Sequence, residues 1–185
     1  FEAYFLRREF PQLIKNHLKK VVRETQRLGL GYANKTVSCD KTNGTVEFGH
    51  CANPDDFKNY VGAEADLITY DQLEQFTEQQ YTEISAATGR TRRADWHGLV
   101  LGGENPGGPL SAYVDELYIS KSRDRARYPD YDPALYCFIP IDLDDNPHCD
   151  PNYVANLAQI EPTKRAMYRG ARRDRFPGQF FRTFD

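Results

Sequence analysis

The sequence is short of several things, and each shortage removes a class of protein. It has only four cysteines, Cys39, Cys51, Cys137 and Cys149, widely spaced and without a C-x-x-C pair. That excludes a disulfide scaffold and fits a reducing compartment with buried free thiols. His50-Cys51 and His148-Cys149 offer four zinc-type ligands, but neighbouring side chains diverge, which is poor tetrahedral geometry. The longest apolar runs, such as residues 137–141, fall far short of the ~20 residues needed to cross a bilayer, and no signal-peptide pattern opens the chain. A soluble protein is expected. Nor is there a basic excess: 24 Lys and Arg face 27 Asp and Glu, so no global field advertises a nucleic-acid binder. Its 13 glycines and 11 prolines are evenly spread, which excludes collagen-like and low-complexity chains.

What is present is enough for one domain: 185 residues, 39% hydrophobic and 13% aromatic, can fill a core of ordinary size. The opening run Ala3-Tyr4-Phe5-Leu6 stops at Arg7-Arg8 and reads as a buried strand ending at a polar edge. A chain that starts inside a core strand is expected to be a fragment. After Pro11, Ile14, Leu18, Val21, Val22, Thr25 and Leu28 recur at helical spacing, and the helix should end before Gly29. Asn43-Gly44 suits a tight turn and predicts a hairpin between residues 36–39 and 45–48. A weak helix is expected over residues 54–60 and a strand over residues 65–70, ending at Asp71-Gln72. Thr77 can cap the next helix with Gln80 returning the bond, while Phe76 packs on Tyr81. Residues 98–101 predict a further strand that runs into the glycine-rich stretch 102–108. Residues 121–133 read as an exposed loop, residues 136–141 as a fourth strand, and Asp150-Pro151 as a cap and first helical residue.

Apolar strands separated by helices indicate an α/β domain on a mainly parallel sheet, whose ligands sit at the carboxyl ends of strands. Arg7-Arg8, Asp71-Gln72 and Glu104-Asn105 all fall at such ends. A strand that delivers an aspartate there is how nucleotide hydrolases hold magnesium, because a hard cation wants carboxylate oxygen. A strand-end aspartate serves equally well to cap the following helix. The residue after such an aspartate is commonly a glutamate that activates water; Gln72 can orient water but cannot take its proton. Glu74 and Glu78 are the nearby carboxylates that could substitute. Asn105 can bond a terminal phosphate or its attacking water, and Asn105-Pro106-Gly107-Gly108 also reads simply as a tight turn. No G-x-x-x-x-G-K-[ST] loop occurs anywhere, so nothing in the sequence cradles phosphates.

These pieces, in order, resemble the large terminase subunit of tailed bacteriophages, the motor that packages DNA. The resemblance rests on Leu6-Arg7-Arg8-Glu9-Phe10-Pro11-Gln12-Leu13, Phe48-Gly49-His50, Gly62-Ala63-Glu64 and Asp66-Leu67-Ile68 leading to Asp71. Gln75-Phe76-Thr77, Asn105-Pro106-Gly107-Gly108, Phe138-Ile139-Pro140 and Gly178-Gln179-Phe180-Phe181 complete it. It implies a P-loop NTPase-like core of the additional-strand type, incomplete at its N-terminus, over residues 1–160, with residues 161–185 a lid or linker toward a nuclease domain. It implies ATP and Mg2+ as cofactors, with Asp71 the magnesium-side acid through water, Gln72 in the catalytic glutamate's place and Asn105 in the coupling motif. Arg7 and Arg8 would face the nucleotide. Arg165, Arg169, Arg172 and Arg173 would meet double-stranded DNA through its phosphates, and a solvated helix and linker accounts for them equally. A ring of identical subunits, the small terminase subunit, the portal protein and the host cytoplasm are the implied partners and place. The motor reading expects Asp71 and Asn105 side by side along one rim of the sheet, facing a gap for a triphosphate and its cation. Glycine and glutamate at 103 and 104 depart from the family's threonine-glycine or serine-glycine before the asparagine, as does Lys58-Asn59-Tyr60-Val61 from its frequent arginine.

Overall fold

The first apolar run becomes β1 (Glu2–Arg7), a central strand with parallel neighbours on both sides. The structure is a computed structural model that describes residues 1–89 and 97–169. The chain divides into two compact units, Phe1–Glu104 and Asn105–Asp185.

The first unit holds a six-stranded sheet. Its other strands are β2 (Gly31–Ala33), β3 (Thr36–Cys39), β4 (Gly44–His50), β5 (Leu67–Asp71) and β6 (Leu99–Gly103), in the order β2-β3-β4-β1-β5-β6. The four strands β4, β1, β5 and β6 run parallel, and β2 and β3 add an antiparallel edge. The expected hairpin is the β3–β4 connection, where Asn43 takes a positive φ of 51°.

One face of the sheet is covered by α1 (Phe10–Leu13) and α2 (Lys19–Leu28), joined without a break by a π turn over Ile14–Leu18. Gly29, at φ +67°, ends the run as its sequence position predicts. Leu13, Leu18 and Phe48 form the core there, with Phe5, Phe10 and Val46 packed around them. Strict helical spacing also assigned Ile14 and Leu28 to this stripe, but they are exposed.

The opposite face meets α3 (Glu78–Ser85), whose Thr77 and Gln80 form the expected reciprocal cap. Phe76 and Tyr81 each pack on buried Tyr70, with ring centroids 5.1 and 5.5 Å away. Residues Pro54–Tyr60 wind as a 3-10 helix rather than an α-helix. Its Tyr60 hydroxyl donates to the His50 carbonyl at 3.0 Å and lies where a Cβ on Gly49 would have to go. Only glycine fits at that position.

The second unit is built of short pieces: α4 (Ser111–Val114) running into a π turn over Asp115–Ile119, then α5 (Pro151–Leu157) and α6 (Pro162–Arg169). Asp150 caps α5 as expected, accepting from the Asn152 amide at 2.8 Å. Leu110, Val114, Leu117, Tyr131 and Leu157 are buried. Residues 121–133 are mostly exposed, with one correction: the Arg123 guanidinium stacks on the Tyr113 and Tyr128 rings and pairs with Glu116 at 3.2 Å. A second correction is larger. Residues 136–141, expected as the fourth strand, form no strand, and Ile139 and Ile141 are 73% and 70% exposed. A strand exists only with a neighbour to take its amides and carbonyls, and among the described residues none pairs with this segment.

Candidate functional site

Side chains alternate along a strand, so in β1 Phe5 and Arg7 share a face while Tyr4 and Leu6 take the other. The Phe5 face is the helix-covered one: its ring lies 4.8 Å from the His17 ring and 5.3 Å from Phe48. Arg7 therefore emerges at the carboxyl end of β1 beneath the helix. In the neighbouring strand β5, Asp71 is its register partner, so the two side chains rise together. The π turn brings His17 down between them.

A cluster of six side chains results. The buried Arg7 guanidinium donates to Asp71 Oδ2 through Nη1, to Gln72 Oε1 through Nη2 at 2.6 Å and to Gln12 Oε1 through Nε at 3.1 Å. His17 Nε2 lies 2.7 Å from the same Asp71 Oδ2 and 3.0 Å from Arg7 Nη1. Gln72 Oε1 also accepts from Gln75 Nε2 at 2.9 Å. Gln72 adopts the left-handed region, φ 57° and ψ 57°, rare outside glycine and costing about 1 kcal/mol. The turn after Asp71 is thus set against local preference, and the two hydrogen bonds to its side chain hold it there.

The other expected site residues go elsewhere. Arg8, one position along the chain, points to the opposite face and donates to the Cys51 carbonyl. That carbonyl also accepts from Gln80 Nε2 at 3.3 Å, which ties the end of β4 to α3. Burial and the nearby Asp56 charge push the Cys51 thiol up to about 12, so it is inert. Glu74 is buried in the short 3-10 turn Leu73–Gln75, and Glu78 is exposed in the first turn of α3. Asp71 registers with Gly103 of β6 on its far side. Asn105 begins the second unit and is exposed. The turn that follows it puts Gly107, at φ +107°, and Gly108 with both amides on Ser111 Oγ, at 2.9 and 3.0 Å. Arg165 donates to the Ala158 carbonyl at 3.3 Å, and Arg169 reaches Asp144 at 3.5 Å. Arg172, Arg173 and the Gly178-Gln179-Phe180-Phe181 motif lie outside the described residues.

Sequence patterns do not single out His17 or Gln12 as site residues. Gln12 belongs to the motif quoted above by its order alone. His17 breaks a lysine-rich stretch, Lys15-Asn16-His17-Leu18-Lys19, and only the π turn reveals that it faces the sheet.

Among the described residues no three of His, Cys, Asp and Glu gather to cage a metal, which also leaves the zinc idea without support. A single strand-end carboxylate does fit magnesium, which keeps most of its waters and takes one or two carboxylates together with substrate phosphates. Asp71 would be that ligand.

No protein-family model matches the sequence, and no curated protein matches it. Solved structures match by shape. The large terminase of a thermophilic bacteriophage aligns with a TM-score of 0.65 at 13% identity, over 90% of this chain and 39% of that one. The same phage's large terminase in complex with ADP aligns at 0.61 and 10%, again over 90% and 39%. The large terminase of bacteriophage HK97 aligns at 0.58 and 12%, over 94% of this chain and 40% of that one. The chain thus spans about two-fifths of the length of the structures it matches. Its fold is the one expected: a mostly parallel sheet flanked by helices, P-loop NTPase-like, as in these large terminases.

Proposed function

We propose that this chain is the ATPase core of a viral DNA-packaging motor of the large-terminase type. The observation that carries the reading is the end of β5, where an apolar strand delivers Asp71 in register between Arg7 and Gly103 within that fold. One of the similar structures was solved with ADP, which supports ATP as the ligand here. Magnesium at Asp71 would neutralise phosphate charge as the terminal phosphoryl group leaves. Arg7 holds the carboxylate in place. Gln72 orients water without accepting its proton, so hydrolysis is slow unless another carboxylate assists.

In this reading the loop that the sequence lacks comes from a further strand of the sheet. β6 is the last strand on its side among the described residues, and Leu99 and Leu101 are 45% and 47% exposed along it. A parallel strand bearing a phosphate-binding loop would pair with β6 and set the loop at the same end of the sheet as Asp71, one strand away. Asn105 then serves the coupling role, with Arg165, Arg169, Arg172 and Arg173 meeting DNA phosphates. The small terminase subunit, the portal protein and further copies of the chain in a ring are the partners of this reading, and the host cytoplasm its place. No helix among the described residues is long and apolar enough to cross a membrane.

A second reading is a non-hydrolysing module that binds DNA or a protein partner and uses ATP at most as a structural ligand. What favours it is Gln72, whose side-chain oxygen is already held by Arg7 and Gln75. Joining a terminase phosphate-loop strand upstream and measuring ATP turnover separates the two. The motor reading expects binding and slow turnover, with Gln72→Glu raising the rate about 100-fold. ATP bound but never cleaved, with or without the glutamate, would favour the second reading; no ATP binding would remove both nucleotide roles.

A further inference from the structure

Among the described residues, the Asp71 carboxylate is engaged on one side only. Arg7 Nη1 and His17 Nε2 both end on Oδ2, and neither reaches Oδ1. The shared position of Nε2, 2.7 Å from Oδ2 and 3.0 Å from Arg7 Nη1, fixes its role. A guanidinium has only donors and a carboxylate only acceptors. An unprotonated Nε2 would turn a lone pair on the carboxylate; a proton there satisfies it. Nε2–H therefore donates to Asp71, and Arg7 approaches because both donors share one oxygen.

The two donors come from different elements, Arg7 from β1 and His17 from the π turn. A single donor would leave the carboxylate plane free to swing about χ2. Two donors from a strand and a helix turn set that plane and leave Oδ1 free of both. Carboxylates that hold metal ions are usually fixed by such outer hydrogen bonds, and losing one typically weakens metal affinity about 10–100-fold. The π turn over Ile14–Leu18 carries His17 at this place, and such turns recur at functional sites.

We propose that His17 is a positioning residue: it anchors Asp71 through Oδ2 and so presents Oδ1 to a divalent cation. This rests on the reading of Asp71 as the cation-side acid. Nothing in the sequence motifs gave His17 that role.

The test uses the 185-residue chain and Mn2+ alone, titrated by the loss of its free-ion EPR signal, with a thermal melt of each variant. Asp71→Asn should abolish the site. His17→Phe keeps a ring against Phe5 but loses the donor, and should weaken Mn2+ binding about tenfold with a cooperative melt retained. His17→Gln keeps an N–H at similar reach and should stay within about twofold of the parent. If His17→Phe does not melt cooperatively, His17→Leu takes its place. Parent-like Mn2+ affinity without the donor, while Asp71→Asn abolishes binding, overturns the role of His17 and leaves the cation reading standing. Equal losses in His17→Phe and His17→Gln overturn it too, because the donor would then not be the cause. If Asp71→Asn changes nothing, the cation reading fails and the role of His17 falls with it.

Discussion

The two units use the same kind of sequence to opposite effect. In Phe1–Glu104, apolar runs such as residues 3–6 and 67–70 find neighbours and become parallel strands of the sheet. In the second unit, residues 136–141 have as good a strand composition, yet they pair with nothing and are mostly exposed. A helix satisfies its own backbone, whereas a strand is a statement about its neighbours. The comparison also holds for charge. Among the described residues, each unit has a nearly buried arginine in an ion pair: Arg7 with Asp71, and Arg123 with Glu116. Arg7 is held by polar partners from α1, the π turn, the end of β5 and the turn after it, while Arg123 is stacked on tyrosines of its own unit.

The sharpest way to break the comparison is to remove both arginines in turn. Arg7→Ala strands a carboxylate and two amides, and should cost about 3–5 kcal/mol by urea unfolding. Arg123→Ala, which gives up stacking and a partly exposed pair, should cost about 1–2 kcal/mol. Equal losses would show that the sheet end is no more integrated than the loop. Thr77→Ala removes one side of the α3 cap, and a loss of about 1 kcal/mol is expected in the same assay.

The pH dependence follows from Cys51. Its folded thiol titrates at about 12, above the ordinary 9.0, so the folded state resists losing that proton while the unfolded chain does not. The contribution is complete below pH 9 and declines as pH rises toward 12. Denaturation midpoints that fall over this range in the parent, but less in Cys51→Ala, would confirm the sign. The smallest effect is expected at Ile139→Ser, within about 0.5 kcal/mol because the side chain is already in solvent. A large loss there would mean that residues 136–141 are packed after all.

Much of the site was legible because it is local. Asp71 closes an apolar strand, Thr77 and Gln80 sit three apart, and Asn43-Gly44 and Gly29 mark turns whose backbone demands them. What failed to show was the meeting of distant residues. Arg7 and Arg8 look alike in sequence and part to opposite faces, since a strand alternates. His17 is hidden among lysines until a π turn faces it toward the sheet.

The sequence by itself determined which stretches could be helix, strand or turn, because capping, periodicity and glycine geometry act over a few residues. Only the tertiary structure decided which strands found partners and which charges met, because register between β1 and β5 and the π turn that carries His17 join residues 54 and 64 positions apart.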